Sequence, residues 1–186
     1  MDLYYDGENI TFRVTPIVSE VDLNIVCYVF NWETDKTGNK GKDKKNRRIN
    51  KYLCRLNKLN DNIAEKLGYH GLEHIGSHKF MISKTTFEEE GYGDSPKTFL
   101  EKSGIGQDQW GSLCHKVTVL RSTIMNPYLD PTYIGENYIE LFMTTFKDAL
   151  ESIVKNKDDW DKIIFLPKDQ ASCCGDTPST AVIRSK

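Results

Sequence analysis

Between Leu23 and Phe30 stand eight residues of which only Asn24 is polar. Ile25, Val26, Tyr28, Val29 and Phe30 are β-branched or aromatic, types that fit a pleated surface. The run is too short for an ordinary buried helix and far too short for a membrane span of ~20 residues. It predicts a central strand covered on both faces. One such strand commits the chain to a sheet with apolar partners above and below it.

The rest of the sequence supplies those partners. Ile10, Phe12 and Val14 alternate with Thr11, Arg13 and Thr15, the period of a half-buried strand. Asp6-Gly7 reads as a turn, across which Leu3 to Tyr5 pairs as a short hairpin. Ile49, Tyr52, Leu53, Leu56, Leu59, Ile63 and Leu67 recur at offsets of three and four, predicting a helix over 49–67 that stops at Gly68. Ile139, Phe142, Met143, Phe146, Leu150 and Ile153 predict a second helix over 136–154. Val117 and Val119 place a strand in 113–120, and 79–87 contains another. Ile163 to Leu166 reads as a short strand stopped by Pro167.

The segment 85–111 holds Glu88-Glu89-Glu90, Gly91, Gly93, Pro96, Gly104 and Gly106 and shows little periodicity. It reads as a surface insertion, with a functional contact region as the alternative. Strands and helices do not alternate regularly. The expectation is therefore one α+β domain over 1–170, a mixed or antiparallel sheet packed against two main amphipathic helices, and a polar tail over 171–186.

Charge is the most distinctive chemical feature. The 186 residues carry 25 Lys and Arg against 27 Asp and Glu, a net −2. From Lys36 to Lys58 there are ten basic residues and one acid, Asp43, or +9, so the remainder carries −11. A basic loop with Lys42, Lys44, Lys45, Arg47 and Arg48 runs into a helix bearing Lys51, Arg55 and Lys58. Such a segment suits an acidic protein or the phosphates of a nucleic acid. Asn50, Asn57 and Asn60 on the polar side of that helix could add hydrogen bonds to nucleic acid. The plain alternative is a solvated loop.

Five cysteines, Cys27, Cys54, Cys114, Cys173 and Cys174, are odd in number and make no C-x-x-C pair. They read as reduced thiols, and Cys173-Cys174 as a vicinal pair in the polar tail. The opening residues lack a signal-peptide pattern, and no apolar run reaches membrane length. The expectation is a cytoplasmic protein with no membrane partner.

Three of four histidines, His70, His74 and His78, lie within nine residues. His70, Glu73 and His74 spell H-x-x-E-H. On a helix this spacing places two imidazoles on one face to share a zinc, with the carboxylate as base. Cys114, Glu151 and Cys173 are acids or thiols that could complete the shell. Over five residues the pattern resembles the zinc motif of the pitrilysin-type metallopeptidases. The motif follows the predicted stop at Gly68, and Gly71 and Gly76 together cost a helix there roughly 1–2 kcal/mol relative to alanine. Glu88 to Glu90 with Asp94 read as a solvated acidic loop, with a hard-cation site as the alternative. Trp110 reads as a core edge or a contact residue.

No complete catalytic set can be assembled from these residues. The expected function is a non-catalytic binding or regulatory protein of inhibitor or immunity type, using Lys42, Lys44, Lys45, Arg47, Arg48, Lys51, Arg55 and Lys58. It would need no cofactor. The alternatives are a polyanion-binding protein and a zinc-dependent hydrolase using His70, Glu73 and His74.

Overall fold

A two-residue turn folds the chain's first strands onto each other. β1 (Asp2–Tyr5) and β2 (Glu8–Pro16) pair antiparallel with Tyr5 opposite Glu8. Asp6 and Gly7 take φ of 47° and 78°, the double positive φ of a tight hairpin turn that Asp and Gly tolerate. The computed structural model describes residues 1–18, 25–35, 47–68, 82–123 and 137–167. Four further strands are β3 (Ile25–Asp35), β4 (Arg47–Ile49), β5 (Ser83–Glu88) and β6 (Lys116–Thr123). The sheet is antiparallel throughout, in the order β1-β2-β3-β6-β5, with β4 paired to the end of β3.

The apolar run is the centre of this sheet, as its composition predicts. Tyr28, Phe30 and Trp32 enter one core with Ile10, Phe12 and Leu120. Val29 enters a second core with Val117 and Val119. Period-two alternation along β3 thus feeds both. The first core is closed by α1 (Leu53–Leu67), α4 (Tyr138–Lys155) and α5 (Lys157–Ile164). The second is closed by the start of α1 and by α3 (Lys97–Lys102), together with Ile105, Trp110 and Cys114. A single turn, α2 (Glu89–Tyr92), joins β5 to this cap.

Helix α1 lies in a fork of the sheet. β3 and β6 pair only from Ile25↔Thr123 to Tyr28↔Leu120. In that register Phe30 would next meet Thr118. Instead Asn60 donates to the Phe30 carbonyl and accepts from its N–H, both at 2.9 Å. Asn57 donates to the Lys116 carbonyl and accepts from the Thr118 N–H, also at 2.9 Å. Two carboxamides replace the missing rungs, because each offers one donor and one acceptor side, as a peptide group does. The helix therefore reaches both cores, with Leu53 and Leu56 in the second and Leu59 and Ile63 in the first.

Several expectations need correction. The first helix starts at Leu53, not Ile49, because residues 47–49 are taken by β4. Leu56, Ile63, Phe146 and Ile153 are buried as expected, whereas Tyr52 and Phe142 are only partly so. Ile139 and Met143 are 63% and 52% exposed, so the α4 stripe meets the described core only from Phe142 onward. Ile163 and Ile164 end a helix rather than forming a strand. With Trp160 they have the i, i+3, i+4 spacing, and Asp158 and Asp159 suit the positive end of its dipole. The segment 85–111 begins as the end of β5 and continues as a packed cap, with Phe99, Leu100, Ile105 and Trp110 each at most 4% exposed. The tail 171–186 lies outside the described residues, as does 79–81 at the start of the expected strand.

Candidate functional site

The described residues of the basic segment do not share one face. Lys42, Lys44 and Lys45 lie outside the described residues. Arg47 pairs with Glu33 at 3.1 Å, and Glu33 also holds Arg13 at 2.7 Å. Arg48, the next residue on β4, points to the other face, opposite Thr34. Arg55 donates to the Leu166 carbonyl at 3.1 Å and lies 4.8 Å from the centre of the Tyr52 ring. Lys51 is exposed and Lys58 half-buried. The asparagines expected to face a nucleic acid are buried. Asn57 and Asn60 are spent on the sheet fork, and Asn50 bonds to Asn31 and to the Tyr52 backbone. Their burial was hidden because α1 meets apolar cores on two sides and a backbone edge between them.

His70, Glu73, His74, His78 and Cys173-Cys174 also lie outside the described residues. Among the described residues no three His, Cys, Asp or Glu side chains gather as a metal site. Cys114 is buried and donates to the Lys116 carbonyl at 3.2 Å. Burial raises the Cys27 thiol above its ordinary pKa, against the pull of Arg121. The Glu151 carboxyl is lowered by a hydrogen bond and charge from Lys155, with a smaller pull from Lys147. Within the expected acidic loop, Glu89 pairs with His115 and Asp94 with Lys97. Trp110 donates its indole N–H to the Gly93 carbonyl and is a core residue.

One cavity stands out, at about 730 Å³. That is within the few-hundred to ~1,000 Å³ range of small-molecule sites. Its floor is apolar and aromatic, made by Ile10, Trp32, Trp160 and Ile164. The two indoles meet edge to face at 5.5 Å, and Phe12 packs on Trp160 from behind at 6.1 Å. One wall is the β1–β2 hairpin with Asp6 and Glu8, and the opposite wall is β4 and the start of α1 with Arg48 and Arg55. These walls oppose each other because β2 and β4 flank β3 on its two sides. Helix α5 adds Lys157 and Asp161, and Phe165 stands at the mouth, 73% exposed. Of the eight expected contact residues, Arg48 and Arg55 line this cavity. The acidic wall and aromatic floor were missed. The Asp6-Gly7 turn and the scattered tryptophans were visible in the sequence, but their convergence depends on strand order.

An antiparallel sheet with helices on both faces and an aromatic, charge-walled cavity defines a small α+β domain. The family described as tyrosine decarboxylase, C-terminal, matches residues 1–152, so the chain belongs to that family. It is similar to an L-tyrosine decarboxylase of Enterococcus faecium, with 29% identity over 153 residues, 82% of this chain and 22% of that protein. An L-tyrosine decarboxylase of Enterococcus faecalis is 30% identical over 151 residues, 78% of this chain and 22% of its own. A third, from Levilactobacillus brevis, is 30% identical over 157 residues, 80% and 22%. The chain thus spans about a fifth of the length of the curated relatives it matches.

Membership of an enzyme family overturns the expectation of a non-catalytic regulator of inhibitor or immunity type. The family's description names neither polyanion binding nor zinc-dependent hydrolysis. Failure to assemble a catalytic set from the sequence was poor evidence against an enzyme, because the matched region is a minor part of the relatives' length. No described helix is long and apolar enough to cross a membrane.

Proposed function

We propose that this chain serves as the carboxy-terminal domain of an amino-acid decarboxylase acting on L-tyrosine. In that reaction the bond between Cα and the carboxylate carbon breaks. Carbon dioxide leaves, and Cα takes up a proton to give the phenolic amine. The observation that carries the reading is the single family match over residues 1–152, which spans all six strands and most of α4. The match therefore covers a folding unit and not a short motif. Relatives named for one activity, from three species, support the same substrate.

A chimera tests it. The matching region of the Enterococcus faecium relative is replaced by this chain, and phenolic amine formation from L-tyrosine is measured by chromatography. The expected result is decarboxylation by the chimera and its loss when the region is deleted. A chimera that is folded and soluble but inactive, beside an active parent, would refute the reading.

A further inference from the structure

We infer that the cavity between the β1–β2 hairpin and β4 binds a hydroxyphenyl ring carrying an ammonium group on a short chain. The floor of Trp32, Trp160 and Ile10 offers a flat ring apolar contact and aromatic edges. Asp6 stands on one wall and Arg48 on the other, with β3 between them. Neither side chain forms an ion pair among the described residues. A ligand with a cation at one end and an oxygen acceptor at the other satisfies both walls while its ring covers the floor. A plain anion would meet Asp6 and Asp161, and a plain cation would meet Arg48 and Arg55.

Arg55 is fixed for such a role. Its Nε is tied to the Leu166 carbonyl and its guanidinium lies along the Tyr52 ring, so little freedom remains to be lost on binding. The ammonium is placed toward Asp6, with Asp161 of α5 as second acceptor. The phenolic oxygen is placed toward Arg48 and Arg55. The choice of a phenolic amine over other flat cations rests on the functional reading above; the aromatic floor and the opposed walls do not.

The test uses the full chain and tryptophan fluorescence, excited at the red edge of indole absorption where phenols do not absorb. Tyramine, L-tyrosine, phenethylamine and L-leucine are titrated to millimolar concentration, with calorimetry in parallel. Tyramine or L-tyrosine should perturb the indoles saturably, and L-leucine should not. Tighter binding of tyramine would identify the amine as the source of this chemistry, and tighter binding of L-tyrosine the amino acid. Arg48→Ser and Asp6→Asn, both at exposed positions, should each weaken binding at least fivefold with an unchanged circular dichroism spectrum.

Absence of saturable binding by both phenolic ligands would overturn the proposal. So would equal affinity for phenethylamine, which lacks the oxygen given to Arg48, or binding indifferent to both substitutions. An active chimera without ligand binding removes this site alone. Ligand binding beside an inactive chimera removes the decarboxylase reading and leaves the site.

Discussion

Replacing Asn60 with alanine tests the idea that a helix stands in for a strand at the fork between β3 and β6. Asn60 is fully buried. Its carboxamide accepts from the Phe30 N–H, donates to the Phe30 carbonyl and also reaches the Leu56 carbonyl at 2.8 Å. The Leu56 carbonyl keeps its helical partner, so alanine there strands two backbone groups. Each buried group left unsatisfied costs about 1–3 kcal/mol. The lost side-chain volume adds a small cavity. Together these predict a destabilisation of roughly 2–5 kcal/mol, the larger end holding if no water enters.

Urea titration followed by circular dichroism measures it, with the midpoint falling at unchanged slope. Asp61→Ala provides the comparison one residue away. Asp61 forms only an exposed pair with Lys84 at 2.6 Å, a class of contact that contributes ~1 kcal/mol or less. Asn60→Leu fills the volume but restores neither hydrogen bond, so it should be nearly as damaging as alanine. If Asn60→Ala lies within ~0.5 kcal/mol of the parent, or if Asn60→Leu is as stable as the parent, the two carboxamides are not what holds the fork closed.

Three further outcomes are expected. Leu56→Ala removes a fully buried side chain from the second core and should cost ~2–5 kcal/mol in the same titration, while leaving the fluorescence of Trp160 in the other core unchanged. Gly104→Ala should destabilise by ~1 kcal/mol or more, because Gly104 has φ of 92° and a Cβ there would come within 2.2 Å of Ile49 Cδ1; equal stability would mean that β4 yields freely. Tyr28 is pushed up to about 12, first by burial and secondarily by Cys27, against the hydrogen bond with Ser122 Oγ. A phenol whose folded pKa exceeds its unfolded value stabilises fully below pH ~10 and loses that contribution as pH rises toward 12. Tyr28→Phe should therefore flatten the stability loss between pH 10 and 12 and remove a phenolate absorbance step near pH 12 from the folded protein.

The two helices and the central strand were legible because each carries its own periodicity. Leu56, Ile63, Phe146 and Ile153 lie where their stripes put them. Residues 163–166 were misread because four apolar residues have no period of their own, and the helix that ends there begins in the polar run at Lys157. The 85–111 cap was misread for a different reason. Its helices have four and six residues, too short to show a moment, and its order comes from burying Phe99, Leu100 and Trp110 under the sheet. Those contacts join positions far apart in the chain, so no local pattern announces them.

The candidate site was half legible for a related reason. A cluster of lysines and arginines suggests one basic surface when charge is summed along the chain. In the fold, consecutive strand residues face opposite ways, so Arg47 goes to Glu33 and Arg48 to the cavity. What turns Arg48 from a surface charge into part of a site is the hairpin acid and the two indoles, which enter from residues 6, 32 and 160. Strand order brings them together: β2 lies on one side of β3, β4 on the other, and α5 crosses above. The same cavity would be lost if β4 paired one residue out of register, since Arg47 would then replace Arg48 on that face. The ion pair of Arg47 with Glu33, itself held by Arg13, opposes that slip, and so a contact outside the cavity sets which arginine lines it.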